Sequence, residues 1–155
     1  MIKVLFVCHG NICRSPMAEF ILKDMVSRRG IADRFVIASA ATSTEEIWNG
    51  TGSPVYPPAK RELASHGIPC GEKRAVLMVR EDYGRYDYLI GMDEANIRNM
   101  NRIAGGDPEN KIRMLLSFAG KSRAISDPWY TGDFKSTYRD IDEGCRAFLA
   151  YLGEK

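Results

Sequence analysis

The amino-acid sequence predicts an α/β fold in which helices cover a parallel β-sheet. Apolar, strand-like segments alternate along the chain with segments whose apolar residues recur at helical spacing, a pattern typical of parallel strands joined by helices. The first strand-like run, residues 2–7, is apolar except for Lys3, as expected of a strand that is buried on both faces. The chain has 155 residues, of which 45% are hydrophobic and 27% charged, so a single domain over residues 1–155 can bury a substantial core.

The first half of the chain contains two predicted strands, two predicted helices and a long loop. In order, they are a strand at 2–7, a helix at 16–29, a strand at 35–40, a loop at 42–58 and a helix at 59–66. We expect Ser15 to be the N-cap of the first helix, Pro16 to be its N1 residue, and Gly30 to follow its end. Loops as long as the one at 42–58 are usually functional in compact domains.

The second half predicts two more strands and two more helices. In order, they are a strand at 86–92, a helix that begins after Asp93, a strand at 112–116 and a helix at 134–152. Asp93 is a favourable N-cap residue. An apolar stripe runs along one face of the last helix and consists of Phe134, Tyr138, Ile141, Cys145, Phe148 and Leu152. The segments that follow the four strands are expected to meet at one edge of the sheet, where open α/β folds bind their ligands.

The segment at 7–16, Val-Cys-His-Gly-Asn-Ile-Cys-Arg-Ser-Pro, is the most informative motif of the chain. It joins a strand to a helix start, so its backbone N–H groups and the helix dipole favour an anion in the turn. At such a site we expect Cys8 to ionise near neutral pH, and Arg14 to hold two oxygens of a phosphate with its planar fork. Cys8 would attack phosphorus to give a phosphocysteine intermediate, and Ser15 would donate its hydroxyl to the sulfur. The alternative is a buried structural cysteine beside a surface arginine.

Asp127 is the candidate general acid for the leaving oxygen. Pro128 follows it and favours an extended conformation at Asp127. Trp129 and Tyr130 come next and are candidate walls of a slot for an aromatic substrate. A plain turn with core aromatic residues is the alternative for this segment.

Composition and charge exclude several classes of function. A net charge of +2 gives no argument for nucleic-acid binding, and no apolar run approaches the ~20 residues of a membrane span, so we expect neither partner. The four cysteines, at 8, 13, 70 and 145, are few and irregularly spaced, which favours a reduced, cytoplasmic setting over a disulfide scaffold. No cysteine pair has the usual spacing of zinc ligands, so no metal site is predicted.

The chain resembles the low-molecular-weight protein tyrosine phosphatases over essentially its whole length. The matching segments are 7–16, Ser-Ala-Ala-Thr at 39–42, Trp-Asn at 48–49, His-Gly-Ile at 66–68, Tyr-Asp-Tyr-Leu-Ile-Gly-Met-Asp at 86–93 and Asp-Pro-Trp-Tyr at 127–130. The resemblance implies a single-domain, three-layer fold of the phosphotyrosine protein phosphatase I type, with a four-stranded parallel sheet between helices. It also implies tyrosine-phosphorylated proteins as substrates and no metal or organic cofactor.

The resemblance assigns roles to individual residues as well. It implies Cys8 as nucleophile, Arg14 as phosphate clamp and Asp127 as proton donor. The phosphate-binding loop would comprise His9, Gly10, Asn11, Ile12 and Cys13, and its supporting hydrogen bonds would come from Asn11, Ser15 and His66. The substrate rim would comprise Trp48, Asn49, Trp129 and Tyr130. Cys13 would form a reversible disulfide with Cys8 under oxidation.

Two rival functions and several details stay open from the sequence. An arsenate reductase can share this fold and loop, but it needs two further cysteines to relay a disulfide, and Cys70 and Cys145 look isolated. A non-catalytic phosphotyrosine-binding module would retain the loop without turnover. The preference between phosphotyrosine and phosphoarginine is open, as is the choice between a monomer and weak self-association.

Overall fold

A four-stranded parallel sheet with helices on both faces forms the centre of the computed structural model, which describes residues 1–153. In chain order the elements are β1 (Ile2–Cys8), α1 (Arg14–Arg28), β2 (Phe35–Ala41), β3 (Ile47–Trp48), β4 (Thr51–Gly52), α2 (Pro57–Ser65), α3 (Asp82–Arg85), β5 (Tyr88–Gly91), α4 (Glu94–Ala104), β6 (Ile112–Met114), α5 (Pro128–Thr131) and α6 (Phe134–Tyr151). Short 3₁₀ turns lie at Ala32–Arg34 and Leu115–Ala119. The predicted α/β fold with a four-stranded parallel sheet is therefore confirmed.

The sheet order is β2-β1-β5-β6, so β1 lies inside the sheet and pairs with a strand on each side. Its side chains alternate between two apolar cores. Val4 and Phe6 pack with residues of α1 and α6, whereas Leu5 and Val7 pack on the other face with Met100 of α4. Burial on both faces explains why this strand is apolar from Val4 onward. Among residues 1–153, no helix combines the length and apolar character that a membrane crossing requires.

The first helix begins earlier than the sequence predicts, and the assignment of Ser15 as its N-cap is wrong. The N-cap is Cys13, and the carbonyl of Cys13 accepts the backbone N–H of Met17 at 3.0 Å. Ser15 and Pro16 lie within the first turn. Proline is tolerated there because the N–H groups of the first turn have no partner inside the helix. Entering the helix at Arg14 turns the Ser15 hydroxyl towards Cys8, with which it forms a contact, instead of towards the helix backbone.

The predicted loop at 42–58 contains a small hairpin, β3–β4, whose turn is Asn49-Gly50. Both turn residues have positive φ angles, 50° and 80°, which the right-handed twist of a two-residue hairpin demands. The base of the hairpin is fixed against the segment that follows α2. A Cβ on Gly52 would lie 1.9 Å from the backbone oxygen of Ala75, so only glycine fits, and the guanidinium of Arg74 donates to the Gly52 carbonyl at 2.9 Å.

Candidate active site

A cavity of about 120 Å³ opens at the carboxyl end of β1. Its walls come from the loop after β1, from the segment after β2, and from the segment around α5. The lining residues are Cys8, His9, Gly10, Ile12, Cys13, Arg14, Glu45, Glu46, Asp127, Trp129 and Tyr130. The structure thus brings together most of the side chains that the sequence singles out for phosphate chemistry.

Cys8 is the last residue of β1 and is 4% exposed. Its Sγ lies 3.0 Å from the Ser15 Oγ and accepts the backbone N–H of Asn11 at 3.3 Å. Asn11 can direct its N–H back to the sulfur because its φ is +59°, a left-handed conformation that asparagine tolerates better than most residues. The loop therefore offers hydrogen-bond donors to the Cys8 sulfur.

The Asn11 side chain determines which way the Ser15 hydroxyl points. The Asn11 Oδ1 accepts the backbone N–H of Val76 at 3.1 Å, so its Nδ2 must face the other way. That Nδ2 donates to the Ser15 Oγ at 2.7 Å and to the Ser39 Oγ at 2.9 Å. Since the Ser15 oxygen already accepts a hydrogen bond, its own hydrogen is available to Cys8. The competing acceptor, the Ala40 carbonyl, is farther away at 3.5 Å.

Arg14 lies under the cavity and is 3% exposed. Its Nη1 donates to the Asp93 Oδ2 at 2.7 Å and to the Ile125 carbonyl at 2.9 Å, and its Nη2 lies 3.5 Å from the Asp127 Oδ2. Burial works against the guanidinium charge, but the negative groups at Cys8, Asp93 and Asp127 outweigh it and raise the pKa of Arg14 above its ordinary value. The fork is therefore a fixed, charged group with one edge towards the cavity.

The sequence analysis assigns Asp93 only to helix capping, and the structure gives it a second role. One oxygen of Asp93 accepts the backbone N–H of Asn96 and caps α4, while the other holds Arg14. Asp93 follows β5 at the carboxyl edge of the sheet. Because open α/β folds bind their ligands at this edge, the sequence could have indicated Asp93 as a site residue. Its bond to Arg14 joins residues 79 positions apart in the chain.

Asp127 is the N-cap of α5 and lines the cavity. Its Oδ1 accepts the backbone N–H of Trp129 at 3.0 Å, which leaves the Oδ2 facing Arg14. The Trp129 ring lies 4.7 Å from the Tyr56 ring, centroid to centroid. The Tyr130 side chain is mostly exposed at the edge of the cavity. The segment thus holds a carboxylate next to aromatic side chains at the mouth of the cavity.

Cys13 is a buried thiol in the wall of the same cavity. Burial raises the pKa of Cys13 far above its ordinary value, and the charges at Cys8 and Asp127 add to the effect, with Arg14 opposing it. Cys13 is therefore protonated at neutral pH, in contrast to the role expected of Cys8.

The mouth of the cavity also carries two carboxylates, Glu45 and Glu46, which the sequence analysis does not single out. Glu45 pairs with His9 of the loop, with 3.0 Å between the His9 Nε2 and the Glu45 Oε2. Within residues 1–153, no cationic side chain lies within ion-pairing distance of Glu46. Among the same residues, no three His, Cys, Asp or Glu side chains are grouped as metal ligands would be.

Three residues assigned by resemblance lie elsewhere. Trp48 is 73% exposed at the tip of the hairpin, and neither Trp48 nor Asn49 is in the cavity wall. The placement of His66 in the loop network is wrong. His66 is the C-cap of α2, where its Nε2 lies 2.9 Å from the Glu62 Oε2 and its ring stacks on Tyr138 of α6 at 3.6 Å. The end of α2 turns the ring towards α6, away from the loop after β1.

Comparisons with known proteins agree on one family. A family model described as low molecular weight phosphotyrosine protein phosphatase matches residues 3–155. A protein of that description from Sus scrofa is 41% identical over 152 residues, covering 94% of this chain and 92% of the relative. The crystal structure of YfkJ from Bacillus subtilis has a TM-score of 0.91 at 35% identity, covering 99% of this chain and 95% of that one. The crystal structure of SP-PTP, a low molecular weight protein tyrosine phosphatase from Streptococcus pyogenes, has a TM-score of 0.86 at 37% identity, with 98% and 93% covered.

Proposed function

This chain belongs to the low molecular weight phosphotyrosine protein phosphatase family, and from that premise we propose that Cys8 is its nucleophile, with Arg14 as phosphate clamp and Asp127 as general acid. The chain is a protein tyrosine phosphatase, and therefore a hydrolase that acts on phosphotyrosine in proteins. The observation that carries the residue assignment is the arrangement of Cys8 Sγ. It lies at the base of the cavity, next to the Ser15 hydroxyl and the Asn11 N–H, with the buried Arg14 fork in the same wall.

In the first step the Cys8 thiolate attacks phosphorus, so that an S–P bond forms as the bond from phosphorus to the tyrosyl oxygen breaks. The loop N–H groups and Arg14 bind the equatorial oxygens, whose charge must be stabilised in the transition state. Asp127 gives its proton to the departing tyrosyl oxygen, so that a neutral phenol leaves. Asp127 lines the cavity next to the phosphate-binding Arg14, and this position beside the departing oxygen supports the role.

In the second step a water attacks phosphorus on the opposite side from sulfur. Asp127, now a carboxylate, takes a proton from this water. The S–P bond breaks, inorganic phosphate forms, and the thiolate is restored. The Ser15 hydroxyl donates to the sulfur in both steps, which makes the thiolate a better leaving group in the second.

Replacing Cys8 with serine tests the nucleophile. We expect Cys8→Ser to lose hydrolysis of p-nitrophenyl phosphate and of a phosphotyrosine peptide while it keeps some phosphate affinity. Cys70→Ser is the matched control, because Cys70 is also buried but does not line the cavity. Activity of Cys8→Ser above a tenth of the unmodified enzyme would contradict the assignment.

Reversible oxidation is a further part of the proposal. Peroxide would convert the Cys8 thiolate to a sulfenic acid, and the Cys13 thiol would displace water from it to form a disulfide. The common location of Cys8 and Cys13 in the cavity wall supports this step. Cys70 and Cys145, by contrast, are buried outside that wall, which disfavours the disulfide relay of an arsenate reductase.

The setting of the enzyme completes the proposal. All four cysteines are free, which supports a reducing, cytoplasmic compartment. We expect the chain to act as one domain over residues 1–155, as a monomer or a weakly self-associating species, without nucleic acid or membrane as partners. The exposed Trp129 and Tyr130 support recognition of the aromatic ring and of the peptide around it.

A further inference from the structure

Lys73 is a partly buried lysine for which the reaction above gives no role. It lies in the extended segment after α2, and its side chain is 15% exposed. Its Nζ donates to the Ser39 carbonyl at 3.0 Å and lies 3.8 Å from the Glu19 Oε1. Ser39 belongs to β2, next to the strand that ends at Cys8.

Glu19 of α1 is a buried carboxylate that joins Lys73 to the loop network. Its Oε1 accepts the Ser39 hydroxyl at 2.6 Å, and its Oε2 accepts Lys23 at 2.6 Å. A buried carboxylate stays ionised only when it is paired and hydrogen-bonded. Glu19 meets both conditions, because it has one hydroxyl donor and a cation on either side.

The Ser39 hydroxyl connects the Glu19–Lys73 pair to the nucleophile through hydrogen bonds. Because its hydrogen points to Glu19, its oxygen can accept the Asn11 Nδ2 at 2.9 Å. Asn11 in turn donates to Ser15, whose hydrogen is available to Cys8. A continuous series of hydrogen bonds therefore runs from the Glu19–Lys73 pair to the Cys8 sulfur.

The segment that carries Lys73 also fixes the other side of Asn11. Val76 lies three residues farther along, and its N–H is the donor that orients the Asn11 Oδ1. The Val76 carbonyl accepts the backbone N–H of Ala41 at 2.7 Å, which attaches this segment to β2. Lys73 thus anchors one end of the short segment that orients the Asn11 amide.

We propose that Lys73 is a positioning residue for the nucleophile: by holding Ser39 and Glu19, it keeps Asn11 donating to Ser15 and Ser15 donating to Cys8. The proposal rests on the assignment of Cys8 as nucleophile and adds a residue that does not touch the substrate cavity. Neither Lys73 nor Glu19 lines that cavity.

The electrostatics support this geometry. Burial lowers the pKa of Lys73, the charge of Lys23 adds to the effect, and the negative groups at Glu19 and Cys8 oppose it. A lowered pKa means that the folded chain holds the Lys73 proton less tightly than the unfolded chain does. Protonation of Lys73 therefore does not stabilise the folded state.

Two substitutions at position 73 test the proposal. Lys73→Met removes the charge and the hydrogen bonds, whereas Lys73→Arg keeps both. Lys3→Met is the control, because Lys3 lies near the opposite end of β1 from Cys8. The measurements are kcat/KM for p-nitrophenyl phosphate, the rate of Cys8 alkylation by iodoacetamide from pH 5 to 9, and the melting temperature.

We expect Lys73→Met to lower kcat/KM about threefold to tenfold, the range that the loss of one hydrogen bond sets. The pH at which alkylation is half-maximal should rise in parallel, with the melting temperature unchanged or higher. Lys73→Arg should keep most of the kcat/KM and a nearly unchanged pH of half-maximal alkylation. Lys3→Met should match the unmodified enzyme in both measurements.

Three outcomes would overturn the inference. They are an unchanged alkylation profile in Lys73→Met, equal losses in Lys73→Arg and Lys73→Met, and a loss of kcat/KM that only follows a fall in the folded fraction. Failure of the proposed function looks different, because the unmodified enzyme would then not hydrolyse the substrate at all, while the alkylation of Cys8 could still be compared.

Discussion

Replacing Ser15 with alanine should slow the breakdown of the phosphocysteine intermediate. Ser15 is fully buried, and its Oγ lies 3.0 Å from the Cys8 Sγ. A hydrogen bond to a charged group contributes about 1.5–3 kcal/mol, and each 1.4 kcal/mol is a factor of ten in rate. We therefore expect kcat to fall roughly 10- to 100-fold in Ser15→Ala.

The assay is stopped-flow hydrolysis of p-nitrophenyl phosphate, which separates the two steps. The first step releases nitrophenolate, a good leaving group, and the second expels the Cys8 sulfur without its hydrogen-bond donor. We expect a burst of nitrophenolate equal to the enzyme concentration in Ser15→Ala, followed by slow turnover. Ser117→Ala is the control, because Ser117 is exposed and donates to the Met114 carbonyl outside the cavity.

A kcat of Ser15→Ala within threefold of the unmodified enzyme would refute the reasoning. A loss that appears only in KM would refute it as well, because the hydroxyl would then act on the bound phosphate and not on the sulfur.

The remaining predictions concern the acid, the second cysteine and the cap of the last helix. Asp127→Ala should lower kcat about 10²–10³-fold for phenyl phosphate and much less for p-nitrophenyl phosphate, whose leaving group needs no proton; equal losses would exclude Asp127 as the acid. Brief treatment with peroxide should inactivate the enzyme and a dithiol should restore it, whereas Cys13→Ser should recover less; full recovery of that variant would contradict the protective disulfide. Hydrogen bonds from the Ser136 hydroxyl and N–H lower the pKa of Asp133. The Asp133 carboxylate therefore stabilises α6 at pH values above its unfolded pKa of 3.8, and this stabilisation is lost as the pH falls through its folded pKa. Asp133→Asn should make the melting temperature less dependent on pH below about 4, and an unchanged acid profile would count against this capping role.

Local sequence patterns were sufficient for the parts of the site that are close together in the chain. Cys8, Arg14 and Ser15 lie on one strand–loop–helix connection, so their spacing determines their proximity. The hairpin in the 42–58 segment also had a local signal, since Asn-Gly is the strongest short turn signal for two-residue hairpins. The prediction of a loop over the whole of 42–58 is therefore wrong at 47–52, where the hairpin lies.

Contacts between distant segments could not be derived in the same way. The bonds from Arg14 to Asp93 and from Asn11 to Val76 join residues 79 and 65 positions apart, and they depend on how α1, β5 and the segment after α2 pack. His66 shows the opposite error. Its identity suggested a catalytic neighbour, but the end of α2 placed it on Tyr138.

The anchoring of the β3–β4 hairpin limits which parts of this enzyme can diversify. One stretch, Arg74 to Val76, supports the hairpin base through Gly52 and orients the Asn11 amide beside Cys8. Insertions or bulky replacements at that base would disturb the Asn11 amide and, with it, turnover. Trp48, at the exposed tip of the hairpin, is not linked to the Asn11 amide in this way. Substitutions at the tip can therefore change the preference for target proteins without changing the chemical steps.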